Sequence, residues 1–509
     1  MEKRLFLAIA LALLVLLSWS AFVSKTYHLD TKEVALKSTA PIPAKPIQNE
    51  LISAKVSEPP ASSLLTISQE KYDIVFIEPQ AAIKEAIFKS YQNYTFPLQY
   101  GFLLEGQNMI FQKEKISEDR VNFVYRDKDK QIIKEFILSN SNYNIRLVVK
   151  VANLSNLPLN INLPLILGLI NLGGDQAEAR LKDATFAGKD KIMHFNLRKD
   201  ITLEEIKFLG FRDRYFCAII EPGSDIYTGF IKKINSQGSE IGLFANEFTL
   251  AVGQQKEFTF HIYLGPQELR HITSIKPEWA AVMYYGTFDF IAHLLLQLLD
   301  FIFGLVRNWG TTIVIISVLI YLILFPLTLK QMRSMKRMQA LQPRIEELRK
   351  IYKDNAQKLN TEIMKLYREY KVNPFSGCLP MILQIPVFFA LYQVLIRSVA
   401  LKGAKFLWIK DLSLPDRLFI FPESTPFLGN VVKEINLLPI LMTVGMFIQQ
   451  KSSMATTSTG SAEQQKLMLI LFPLMFGFIF YHMPSGLVLY WFTNSALTLF
   501  YQLRINRQK

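Results

Sequence analysis

Cysteine is almost missing from this chain of 509 residues: there are two, Cys217 and Cys378, far apart. No disulfide framework or zinc spacing can be made from them, and each reads as a small apolar residue. Histidine is scarce too, with six in the chain, and His194, His261 and His271 have no metal-ligand spacing. There is no HExxH, no GxSxG and no glycine-rich phosphate loop, so the common hydrolase and nucleotide chemistries find no motif. None of the long apolar runs carries an acidic residue at its middle, where an ion-coupled transporter needs one. Glu204-Glu205 reads as a solvated turn or helix start rather than an acid/base pair.

Apolar residues, by contrast, make up half the chain, and the net charge is +14. The length predicts two to three domains. The basic residues concentrate between 330 and 371 and at the two termini, beside apolar runs. That placement follows the positive-inside pattern of membrane proteins rather than a DNA-binding face. Contact of this basic stretch with anionic lipid or ribosomal RNA stays open.

In chain order, a basic start and the apolar run Leu5 to Val23 read as a signal anchor over 1–24, with a cleaved signal peptide as the alternative. Residues 25–64, with Pro41, Pro43 and Pro46, read as a flexible tether. From 65 to 278 the pattern has period two: Ile145, Leu147, Val149 and Val151, then Phe258, Phe260, Ile262 and Leu264. With turn signals between the runs, this predicts an antiparallel β sandwich, structural or binding in use. Residues 279–308 predict an amphipathic interfacial helix, apolar through Ile291, Leu294, Leu298, Phe301 and Leu305, polar through Asp289, His293 and Asp300.

The span Gly310 to Leu329 carries Ser317 and Tyr321 and is closed by Pro326. A helical hairpin over 331–371 follows, with Lys336, Arg337, Arg344, Arg349 and Lys350 and apolar residues such as Met338, Ile345, Ile363 and Leu366. A purely topology-setting loop is the alternative reading. Four more apolar runs bring the spans to six, some short enough to imply local membrane thinning, before a basic tail over 506–509. Both termini then fall inside and the β domain outside the cytoplasm. Neutral polar side chains recur in the spans: Ser317, Tyr321, Gln384, Thr443, Tyr490 and Asn494. Each is either interhelical glue or part of a wet recess.

The segments NWGTTIVIISVLIYLILFPLTLKQMRSMKRMQALQPRI, KVNPFSGCLPMILQIPVFFALYQVL, LWIKDLS and MPSGLVLYWFTNSALT resemble, in order, the YidC/Oxa/Albino family of membrane-protein insertases. The preceding domain, ending in FTFHIYLGPQEL, is similar to the long form found in bacteria with an outer membrane. The resemblance implies a polytopic α-helical membrane protein with a five-helix core over 309–505 and a periplasmic β-supersandwich. It implies an insertase and chaperone of the inner membrane, working on nascent membrane proteins alone or beside the Sec translocon, with no catalytic site and no cofactor. It also implies a hydrophilic groove open to cytoplasm and lipid, closed towards the periplasm. By position Ser317, Tyr490 and Trp491 match groove residues; Asn494 falls on the last span with Tyr490 and Trp491, and Gln384 on the third span. Most bacterial members carry an arginine where this chain has Tyr321, so an electrostatic pull from that site is missing here. Arg397, at the outer end of the third span, reads as an outward-snorkelling anchor or as a substitute charge. Two other readings stay open: a transporter or channel, and a membrane-anchored carbohydrate-modifying enzyme.

Overall fold

The computed structural model describes residues 64–507 apart from 105–108, 163, 190, 224–226, 236, 246, 354, 371, 373–378, 422–433 and 455–461. The expected anchor, nearly all of the tether, Cys378 and the end of the basic tail lie outside the described residues. Residues 60–509 form one unit.

Alternation of apolar and polar residues makes the first half a sheet. Asn144–Asn153 pairs antiparallel with Lys130–Leu138 on one side and Gln255–Pro266 on the other. The register sets Phe258 opposite Val149, Phe260 opposite Leu147 and Ile262 opposite Ile145. All six are buried, because period two puts every second side chain on the same face. The sheet continues through Phe216–Pro222 and Ile201–Arg212 to a total of thirteen strands. A four-stranded antiparallel sheet, running from Leu64–Ser68 to Tyr94–Gly101, packs on it. Phe88 and Tyr94 stack on Phe216 at 4.3 and 4.6 Å between ring centroids, and Phe76 meets Phe136 edge-on at 5.0 Å. This is the expected antiparallel sandwich.

Glu204 and Glu205 form neither turn nor helix start. They lie within Ile201–Arg212, at a register shift between Leu203 and Ile206 where Glu205 takes φ +54°. A bulge of this kind lets two successive polar side chains face solvent inside an otherwise alternating strand.

Eight helices are used below: α1 Asp289–Val306, α2 Trp309–Ala340, α3 Gln342–Ile351, α4 Ala356–Glu369, α5 Leu379–Arg397, α6 Leu437–Met454, α7 Ala462–Tyr481 and α8 Ser485–Arg507. Arg307, in the left-handed conformation at φ +53°, ends α1 and turns the chain into α2. Pro326 does not close α2, which continues to Ala340. Proline removes one hydrogen bond from the ladder, whereas leaving a whole segment non-helical in lipid would orphan many backbone groups at several kcal/mol each. Asn355 caps α4, its Oδ1 accepting the Lys358 amide at 2.9 Å. Met338, Leu341 and Ile345 meet Ile363, Leu366, Tyr367 and Val372 in a small separate core.

α1 has three faces rather than two. Ala292, Leu295, Leu299 and Ile302 are buried, while Phe290, Leu294, Phe301 and Leu305 stay exposed. The polar residues form a third face: Asp289 accepts the Tyr285 amide at 2.7 Å, and His293 meets the Tyr285 ring edge-on. Among the described residues, two helical stretches are long and apolar enough to cross a membrane, Asp289–Val306 and Trp309–Met338, and Gln384–Arg397 and Leu469–Tyr481 are shorter apolar helices. The first of them is α1, which the sequence assigns to the interface.

Candidate functional site

Tyr321 and Gln384 meet α8, which carries Tyr490 and Asn494, whereas Thr443 turns back to the Pro439 carbonyl of α6 at 2.8 Å. Tyr490 is fully buried, and Gln384 of α5 donates Nε2–H to its hydroxyl oxygen. One turn on, Asn494 donates from Nδ2 to the Tyr490 carbonyl at 3.0 Å. Tyr321 of α2, half-buried, reaches the Leu497 carbonyl with its hydroxyl at 3.5 Å, and its ring tilts on Phe325. Trp491 packs edge-on against Phe388 of α5 at 5.0 Å and lies 5.2 Å from Phe480 of α7. Ser317 is different: it is fully buried and its hydroxyl donates to the Ile313 carbonyl of its own helix at 2.6 Å. The seam thus joins α2, α5 and α8. Tyr321, Gln384, Trp491 and Asn494 remain partly accessible, and Ser317 and Tyr490 do not.

The loop from Ala404 to Leu414 covers the helix ends on the β-domain side. Ser485 and Gly486 donate their amides to Leu414 and Leu412 carbonyls at 2.8 and 2.9 Å. Asp416 accepts from Trp408 Nε1 at 3.0 Å and from the Leu438 amide at 2.8 Å, tying the loop to α6. Arg214 of the β domain donates to the Ser413 carbonyl at 3.1 Å. At the other end, Lys336, Arg337, Arg344 and Lys350 are exposed around the small helical core and Arg349 is half-buried. Arg344 lies over the Tyr370 ring at 4.9 Å and donates to its hydroxyl oxygen.

Two families match the chain in the order of these two halves. The YidC periplasmic domain matches residues 87–298, and the 60Kd inner membrane protein matches 301–509. A membrane protein insertase YidC from Pelobacter propionicus is 31% identical over 554 residues, spanning 100% of this chain and 99% of that protein. The chain belongs to the YidC family of membrane protein insertases. It is an inner-membrane family with a periplasmic domain, and not a family of enzymes. The namesake from Syntrophobacter fumaroxidans is 34% identical over 388 residues, 74% of this chain and 68% of its own length. A solved structure of an active YidC insertase with its first transmembrane domain resolved is 22% identical, covering 88% of this chain and 93% of that one at a TM-score of 0.40. A galactose mutarotase-like protein from Lactobacillus casei covers 40% of this chain at 11% identity and a TM-score of 0.33, a likeness too loose to transfer chemistry.

For a YidC-family protein the sequence reading missed one joint. Arg397 neither snorkels outward nor supplies charge to the seam. Its Nη2 donates to Asp183 Oδ2 at 3.2 Å, and its Nη1 to the carbonyls of Leu181 and Asp213 at 3.0 and 3.3 Å. Arg212 holds the same carboxylate through Nε and Nη2 at 2.5 and 2.9 Å. Both arginine side chains are nearly sealed from solvent, at 2% and 7% exposure. Burial pushes the Asp183 carboxyl upward, but the two guanidiniums outweigh it and hold it below the usual range. Arg214 adds a bond from Nε to the Ile396 carbonyl at 2.9 Å. The β domain and α5 are locked together by this cluster. Nothing in the sequence signals it, because Asp183 and Arg397 are separated by 214 positions.

Proposed function

We propose that the chain inserts nascent proteins into the inner membrane, alone or beside the Sec translocon, by offering their polar termini or loops the seam between α2, α5 and α8. The observation that carries this reading is the meeting of Tyr321, Gln384, Tyr490 and Asn494 inside helices whose other faces are exposed and apolar. A charged group at the bilayer centre costs ~2.5–3.5 kcal/mol on insertion scales. Hydrogen-bonding side chains and water in the seam reduce that cost, and the apolar segment then enters lipid spontaneously, without a nucleotide or a covalent step. Tyr321, Gln384, Trp491 and Asn494 meet the substrate. Tyr490, bonded to Gln384, holds α5 and α8 in register, and Ser317, bonded within α2, is packed behind them. Without an arginine at the Tyr321 position, the seam relies on hydration and hydrogen bonding more than on fixed charge.

In this arrangement six spans cross the membrane: the N-terminal apolar run, the apolar part of α2, then α5, α6, α7 and α8, with α1 in the outer interface. Both termini and the basic hairpin 331–371 are cytoplasmic, where Lys336, Arg337, Arg344, Arg349 and Lys350 face ribosomal RNA or anionic lipid. The bonds from Ser485 and Gly486 to the Ala404–Leu414 loop support closure towards the periplasm. The test is photocrosslinking from Tyr321 and Trp491, in the full-length protein, to ribosome-bound nascent membrane proteins. Ile323, 74% exposed on the lipid side of α2, is the control position. Adducts from the two seam positions and few from Ile323 are expected. Equal yields from all three would sink the seam as the substrate path.

A further inference from the structure

A cavity of about 480 Å³ lies between the β domain, the second half of α1 and the outer end of α5. Four cations line it, Arg270, Arg307, Arg397 and Lys402, against two carboxylates, Glu268 and Asp300. Glu268 is already engaged, accepting from Tyr91 at 3.0 Å and lying 3.4 Å from His271. Arg397 is paired with Asp183 through Nη2, but the other three cations are only weakly held. Arg270 makes no side-chain hydrogen bond or ion pair among the described residues, and Arg307 donates only to the Gly304 carbonyl of its own helix, at 3.2 Å. Lys402 sits over the Tyr94 ring at 4.2 Å. Arg397 Nε is buried with no partner at all. A cavity with surplus guanidiniums of this kind suits a phosphate, which takes paired N–H donors.

Its apolar flank says which phosphate. Phe303 and Trp309 line the cavity as a stacked pair, with centroids 4.1 Å apart. Phe301 and Leu305, on the same stretch of α1, are 65% and 70% exposed. A tryptophan at a helix junction beside uncovered apolar side chains is the composition of a bilayer interface. The volume is within the range of a small-ligand cleft, and it opens beside a surface suited to acyl chains.

We propose that this cavity binds the phosphate headgroup of an anionic glycerophospholipid of the outer leaflet, with the acyl chains lying along Phe301 and Leu305. The bound lipid neutralises the excess positive charge at the place where the β domain meets the membrane helices, so it cements that joint. The proposal rests on α1 lying in the interface.

The test is lipid titration into the full-length protein in detergent, read by native mass spectrometry, with phosphatidylglycerol, phosphatidylcholine and inorganic phosphate as the three probes. Phosphatidylglycerol should bind about tenfold tighter than phosphatidylcholine, which has the same phosphate but whose quaternary ammonium is repelled by the cations of the cavity. The double variant Arg270→Gln, Arg307→Asn should weaken it by at least about tenfold, while Lys128→Gln in an exposed hairpin turn leaves it unchanged. Should the double variant unfold at lower temperature than the parent, Leu305→Ser takes its place, and there phosphatidylglycerol binding should fall. Equal affinity for the two lipids, or undiminished phosphatidylglycerol binding in the variants, overturns the proposal. Inorganic phosphate that binds as tightly as the lipid overturns the assignment to lipid.

Discussion

In the β domain, apolar side chains turn inward and the charged ones that are buried have partners: Arg212 holds Asp183, and Lys134 donates to the Phe102 carbonyl at 2.6 Å. In the helical region the rule is reversed on the outside. Leu322, Ile323, Val444, Ile470, Leu474, Phe478 and Phe500 are exposed, and the buried set includes Thr312, Ser317, Ser485 and Asn436. Water drives the first region to hide its apolar surface. Lipid removes that drive, so the second region coheres through packing and polar bonds between helices. The two regions meet at a buried ionic cluster, where neither solvent reaches. Stability in the one is therefore spread over many rings and strands. In the other it rests on close packing between helices and on a few polar anchors.

The largest expected effect breaks the joint between the regions. Asp183→Asn leaves Arg212 and Arg397 buried against an amide and should cost about 3–5 kcal/mol, the penalty for removing one partner of a buried charge cluster. Thermal unfolding of the full-length protein in detergent measures it, and limited proteolysis should release the β domain faster. A change below about 1 kcal/mol would show that the regions dock without this cluster.

The next perturbation acts on the β domain alone. Burial pushes the Lys134 ammonium down to about 7, although two backbone carbonyls accept from it. The unfolded chain holds that proton up to the ordinary lysine range, so between these values the unfolded state binds more protons. Stability should rise as the pH goes from about 7 towards 10 and fall again on the way down, on the order of a few kcal/mol at 1.36 kcal/mol per unit. The difference in unfolding midpoint between the parent and Lys134→Met across that window reads it. Parallel curves would mean the buried lysine keeps its proton.

A third change acts on the helical region alone. A Cβ on Gly310 would overlap the Phe406 ring, so Gly310→Ala should force the closing loop off the start of α2. The cost should be about 1–3 kcal/mol. Insertion of a test protein should fall together with thermal stability. Stability lost with insertion intact would separate the loop from function.

The smallest effect is expected at Tyr321. Its bond to Leu497 is long at 3.5 Å, so Tyr321→Phe should lower insertion of a polar-tailed substrate by no more than about threefold, under 1 kcal/mol. Tyr321→Arg sharpens the comparison: a gain for acidic-tailed substrates would show that missing charge limits the seam.

Much of both regions was legible. Val149, Leu147 and Ile145 alternate in sequence and sit opposite Phe258, Phe260 and Ile262 in the sheet. The apolar set from Met338 to Leu366 closes a helical hairpin core. Periodicity carries such information because it depends only on local geometry. The division of the apolar side of α1 into a buried and an exposed face was hidden, since an apolar residue reads the same whether it packs on a helix or faces lipid. The passage of α2 through Pro326 was hidden too, because the sequence names a helix breaker but not the solvent that forbids the break.

By itself, then, the sequence determined the strands, the apolar runs, the basic hairpin and the family to which the quoted motifs belong. These rest on neighbours a few residues apart or on matched order along the chain. Only the tertiary structure decided that Ser317 is sealed and turned back on its own helix, that Gln384 meets Tyr490, and that Arg397 belongs to the β domain's Asp183. The physical reason is common to all three. A polar side chain in a low-dielectric interior must find a partner, and packing between elements far apart in the chain decides whether it finds one across the interface, as Gln384 and Arg397 do, or turns back on its own helix, as Ser317 does.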